Sequence, residues 1–118
     1  MTLDELITSQ KDFDSRHEGA FPWDSQITDN NLEILEFLII SFLGELGETS
    51  NLIKKIVRGD FTLEEKRSEL SEEVADMFIY LLKLAYQLDI NLEASYLQKM
   101  KKNQERFRYY EKGTSKKE

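Results

Sequence analysis

The sequence predicts an all-α fold, a small antiparallel helical bundle with two long central helices. Apolar residues recur at a period near 3.6 along most of the chain, and no stretch shows strand-like alternation of useful length. Helix-breaking signals are few, with one proline and five glycines in 118 residues. The length suits one domain. The expected organisation is a single helical domain over residues 1–111, followed by a basic, disordered tail over 112–118.

The first helix is expected from Leu3 to about Arg16, with Leu3, Leu6, Ile7, Gln10 and Phe13 on one side, and Gly19 and Pro22 then break it. Asp29 or Asn30 is a good N-cap for a second helix running to about Arg58, where Gly59-Asp60 stops it, an element of about eight turns. Thr62-Leu63-Glu64-Glu65 reads as a capping box opening a third helix that ends near Leu88. Asp89-Ile90-Asn91 forms the next turn. Asn91 caps a fourth helix carrying Leu92, Tyr96, Met100 and Phe107 to about Tyr110.

Composition excludes several chemistries. With no cysteine, disulfide frameworks and thiolate sites are impossible, and one histidine cannot build a multi-histidine metal site. A di-iron carboxylate bundle wants Glu-x-x-His pairs, and His17 follows no such glutamate. Any metal must therefore use oxygen ligands. The net charge of −7 is uneven: residues 99–118 hold 8 basic and 3 acidic side chains, while the body before them is strongly acidic. An acidic body predicts no stable nucleic-acid complex. The apolar run from Phe37 to Gly44 is far shorter than the ~20 residues of a membrane span, and the N-terminus lacks a secretory pattern, so the expected location is cytoplasmic with no membrane partner.

Advancing about 100° per residue along the second helix puts Glu45 inside an apolar stripe with Ile34, Leu38, Leu52 and Ile56, and Glu48 on its edge. An unpartnered buried carboxylate is costly or takes up a proton, so a nearby cation is the economical explanation. On the third helix Glu73 and Asp76 border the core beside Tyr80 and Leu84, whereas Glu72 faces solvent. Two antiparallel helices, each offering acids at i and i+3, can enclose hard oxygen ligands suited to Mg²⁺ or Mn²⁺. Asn103 lies in the apolar stripe of the fourth helix, flanked by Lys99 and Arg106, cations of the kind a polyphosphate needs.

Gly44-Glu45-Leu46-Gly47-Glu48, then Glu73-Val74-Ala75-Asp76 with Tyr80, then Lys99-Met100 and Asn103 together resemble the MazG-like nucleoside triphosphate pyrophosphohydrolases of the all-α NTP pyrophosphatase superfamily. The resemblance covers roughly Asn30 to Phe107. It implies Mg²⁺-dependent hydrolysis of a ribo- or deoxyribonucleoside triphosphate to the monophosphate and pyrophosphate, in housecleaning of the nucleotide pool. It also implies Glu45, Glu48, Glu73 and Asp76 as metal ligands, with Tyr80, Lys99 and Asn103 at positions that contact nucleotide in the dCTP-directed branch. Where that branch carries a base-stacking tryptophan this chain has Lys55, which shares a helix face with Glu48 and is a candidate phosphate contact. The segment from Phe13 to Trp23, with His17 and Phe21, either packs into the core, the preferred role, or supplies a substitute aromatic wall.

Within this expectation Glu45 or Glu48 accepts the proton of the attacking water, and the two are not separable by sequence. Alternatives are a phosphoribosyl-ATP pyrophosphohydrolase, which the Lys99 to Arg106 segment fits less well, and a non-catalytic helical interaction module. Phe37, Ile40 and Leu43 fall outside the Glu45-centred stripe, so the second helix is apolar over a wide arc and a homodimer or homotetramer is expected.

Overall fold

The computed structural model describes residues 1–17, 19 and 21–113. Among these residues the chain is all-helical, with α1 Leu3–Ser15, α2 Leu32–Val57, α3 Leu63–Gln87, α4 Leu92–Arg106, a 3₁₀ turn Arg108–Tyr110, and no strand. Of the expected tail, 114–118 lie outside the described residues, while Lys112 and Gly113 form an exposed turn. Among the described residues no helix is long and apolar enough to cross a membrane.

The helix starts follow from caps. Thr2 and Glu5 form a reciprocal capping box at α1, and Thr62 and Glu65 form the same device at α3, satisfying backbone donors the first turn leaves open. The second helix begins later than expected, after Asn31 rather than Asp29 or Asn30, and the Asn31 side chain makes no capping bond to the first turn. Asn31 accepts from the Thr28 N–H at 2.6 Å and donates to the Gln26 carbonyl at 2.8 Å, while the Thr28 hydroxyl accepts from the Asn30 N–H at 3.2 Å. This local turn competes with helix formation over those residues.

The stops of α2 and α3 share one geometry. At Gly59 (φ 92°) and Asp89 (φ 56°) the chain enters the left-handed region. The Gly59 N–H bonds the Ile56 carbonyl at 3.1 Å and the Asp60 N–H bonds that of Lys55 at 3.0 Å. The Asp89 N–H bonds Tyr86 at 3.3 Å and the Ile90 N–H bonds Ala85 at 2.8 Å. Both are Schellman motifs, which supply partners to the last carbonyls. The fourth helix ends at Arg106, short of Tyr110, because the Tyr110 N–H bonds Phe107 three residues back at 2.9 Å and tightens the backbone into the 3₁₀ turn.

Packing centres on the antiparallel α2/α3 pair, with α1 laid against α3. The fully buried apolar core is small: Ile34, Leu38, Leu82 and Ala85. The α1–α2 connection is tied to this pair by the Ile27 N–H on the Gln87 carbonyl (2.8 Å), by the Gln87 amide on the Ser25 carbonyl (2.9 Å), and by Phe21 against Phe37 at 4.2 Å between ring centroids. Phe37 is thus partly covered, but Ile40 and Leu43 stay exposed. By contrast, α4 has sustained contacts only with the 3₁₀ turn and buries no residue. Its Tyr96 and Met100 are exposed, as are Phe107 just beyond it and Val74 and Leu81 from the apolar side of α3.

Candidate active site

The antiparallel pairing of α2 with α3 sets Glu45 opposite Glu73 and Asp76. One carboxylate oxygen from each lies within 4.8 Å of the others, and all three residues are half-buried. Glu45 Oε2 and Glu73 Oε2 are shielded from solvent and have no hydrogen-bond partner among the described residues. Among the described residues none of the ion pairs engages any of these three acids. Burial, followed by the charges of Asp76, Glu48 and Glu73, holds the Glu45 carboxyl above its ordinary value of 4.5. Like charges are therefore crowded here, and among the described residues no ion pair offsets them.

Glu48 does not join the close group of three. It is exposed, as its position on the edge of the apolar stripe requires, yet lies near enough to act on Glu45. Thr49, buried beside it, gives its hydroxyl to the Glu45 backbone carbonyl at 2.9 Å. Tyr80 is half-buried one turn beyond Asp76 on the same ridge of α3, and Lys55 is exposed in the last turn of α2. The α4 candidates are not brought to the carboxylates within one chain. Asn103 is half-buried, Lys99 and Arg106 are exposed, and the Arg106 guanidinium lies over the Phe107 ring at 4.9 Å.

A second polar cluster escaped sequence reasoning. Asp14, at 3% exposure, receives hydrogen bonds from Gln10 (3.0 Å), from Lys83 (2.9 Å) and from the Tyr86 hydroxyl (2.5 Å). Burial and the Asp14 carboxylate together push the Tyr86 phenol far up from its ordinary 10.0. The available signal was Lys83 itself, a lone cation in the run Tyr80-Leu81-Leu82-Lys83-Leu84-Ala85, which demands a partner from another element.

An all-α fold whose two longest helices converge three acids on one point defines a class of acid-lined helical proteins able to hold a hard cation. Residues 35–109 match the model of the MazG nucleotide pyrophosphohydrolase domain, and the chain belongs to that family. The Gene 37 protein of Mycobacterium phage L5 is 35% identical over 80 residues, 65% of this chain and 69% of its own length. No solved structure matches the chain.

Proposed function

We propose that the protein hydrolyses a nucleoside triphosphate to the monophosphate and pyrophosphate with Mg²⁺, Mn²⁺ serving as a substitute, and so clears unwanted nucleotides from the pool. The observation that carries this reading is the group of Glu45, Glu73 and Asp76, with two buried oxygens lacking any partner among the described residues. Such oxygens fit a hard divalent cation, since unpaired buried carboxylates are otherwise costly. A bound cation there supplies neutralisation of the triphosphate charge and acidification of water.

The chain's own residues supply the rest. Glu45, Glu73 and Asp76 hold the cation, and Glu48, exposed and outside the close group, accepts the proton of the attacking water. Tyr80 lies along the path of the nucleotide, and Lys55 meets phosphate from the end of α2. Lys99, Asn103 and Arg106 come from a second copy of the chain. The open stance of α4 and the exposed Ile40 and Leu43 support this dimeric or tetrameric arrangement.

Pyrophosphate release should be screened across the ribo- and deoxyribonucleoside triphosphates with and without Mg²⁺. The expected outcome is metal-dependent release from a subset of them. In parallel, millimolar Mg²⁺ should raise the melting temperature, because a ligand that binds only the folded state must stabilise it. An absence of both effects would replace the enzyme reading with a helical interaction module.

A further inference from the structure

The outer face of α2, turned away from the acids, carries a regular pattern. Glu36, Ile40, Leu43, Gly47, Ser50 and Lys54 follow one another at alternating steps of four and three residues, and all six are exposed. At about 100° per residue they fall within roughly 80° of arc, centred on the side of the helix opposite Glu45. Steps of four and three mark the seam of two helices packed side by side. None of the ion pairs among the described residues engages Glu36 or Lys54. Gly47 needs its own account, because glycine weakens a helix interior relative to alanine. A Cβ added there would meet nothing within 4 Å among the described residues. Packing inside the chain therefore gives no reason for the glycine, whereas a bulky side chain from a neighbouring helix would seat in the hollow it leaves.

The order of the six is self-complementary. The first half, Glu36, Ile40 and Leu43, is acidic and bulky, and the second half, Gly47, Ser50 and Lys54, is small and basic. Laid antiparallel on a second copy, the stripe sets Leu43 of one chain over Gly47 of the other, Ile40 over Ser50, and Glu36 against Lys54, with the same contacts repeated by symmetry. Glu36 and Lys54 are about five turns apart, about 27 Å along the axis, so they do not reach each other within one chain. Parallel pairing would place Glu36 on Glu36 and Leu43 on Leu43, and a slip of one heptad would leave the charges unmatched.

We propose that this stripe is a self-association seam, in which α2 packs antiparallel on α2 of a second copy with Leu43 seated on Gly47 and Glu36 paired with Lys54. The proposal rests on the oligomeric part of the reading above, which it deepens, and needs nothing from the hydrolytic part. The apolar middle supplies the affinity, while the charges at the ends choose orientation and register. Because the seam lies opposite the acids, it is a separate contact from the exchange of α4, and two distinct two-fold contacts close as a tetramer.

Charge reversal tests the seam. Glu36→Lys sets lysine against Lys54 at both ends, and Lys54→Glu sets glutamate against Glu36, so each variant alone should associate at least about tenfold more weakly. An equimolar mixture of the two restores opposite charges at both ends. Sedimentation equilibrium of the full-length chains at micromolar concentration, without metal or nucleotide, should give half the wild-type mass for each variant alone. The mixture, and the double variant Glu36→Lys/Lys54→Glu, should return to the wild-type mass. Gly47→Gln, which favours the helix and fills the hollow, should halve the mass with helical circular dichroism retained. A monomeric wild type, unchanged mass in both single variants, or a mixture that stays at half mass would overturn the seam. A Gly47→Gln chain that assembles like wild type would overturn the seating of Leu43. Halved mass with recovery in a protein that releases no pyrophosphate would uphold the seam and sink the enzyme reading, and an active protein with unchanged variant masses would do the reverse.

Discussion

At the scale of single residues, the informative groups are Glu45, Glu73 and Asp76, which no ion pair among the described residues engages. Glu45→Gln and Asp76→Asn should each cut Mg²⁺-dependent pyrophosphate release by more than about tenfold, a loss above about 1.4 kcal/mol of transition-state stabilisation, with helical circular dichroism unchanged. Because each substitution relieves like-charge crowding, the metal-free variants should melt no lower than metal-free wild type. Tyr86 makes a separate test. Its phenol is pushed up by burial and by Asp14, so the folded state keeps a proton that the unfolded chain releases above the ordinary 10.0. That stability is present below pH 10 and is lost as pH rises beyond it. Urea titrations should show this alkaline loss in wild type and not in Tyr86→Phe, which is already weaker at pH 8 by about 1.5 kcal/mol from the lost bond to Asp14. Glu45, Glu73 and Asp76 were legible in the sequence because helical phase alone puts them beside apolar stripes. The Asp14–Lys83–Tyr86 cluster was not, because Asp14 lies 69 and 72 positions from Lys83 and Tyr86 and only the packing of α1 on α3 brings them together.

At the scale of elements, caps and stops set the boundaries. Thr62 with Glu65, and Gly59, could be read directly, since each signal is local and nothing distant competes with it. The start of α2 could not, because Asn31 spends its side chain on Thr28 and Gln26, a choice among neighbouring Asx residues that propensity does not rank. The end of α4 was overestimated for a similar reason, as helical periodicity continues through Phe107 while the hydrogen bonds tighten to 3₁₀. The two Schellman stops share a hydrogen-bond pattern but place different residues at the left-handed position. Asp89 holds a φ of 56° that glycine adopts without strain. Asp89→Gly should therefore raise the urea midpoint by up to about 1 kcal/mol in stability at unchanged m-value, while Gly59→Ala should lower it by a similar amount.

At the scale of the whole molecule, shape is the informative quantity. The radius of gyration is 18.7 Å, against about 13 Å expected for a compact domain of this length. The excess comes from a chain extended to 57 Å with α4 away from the core. Ile40 at 65% exposure and Leu43 at 57% lie in the middle of the longest helix, where a self-sufficient monomer would bury them. Sedimentation equilibrium at micromolar concentration should give a multiple of the 13.9 kDa chain mass. A monomer would remove the second copy from the proposed site, and Lys99, Asn103 and Arg106 would lose their assigned role with it. The wide apolar arc of α2 was readable from residue spacing, whereas the detachment of α4 was not, because an amphipathic helix looks the same whichever chain it packs against.

The stance of α4 also reaches into inheritance. If cations on one subunit serve acids on another, two crippled alleles can rescue each other: a Glu45→Gln chain retains a sound α4, and a Lys99→Glu chain retains sound acids. Co-expressed, they should assemble mixed dimers with one intact site each and recover about a quarter of wild-type pyrophosphate release, whereas either allele alone recovers none. Subunits mixed after folding should regain that activity only as fast as the parent oligomers dissociate.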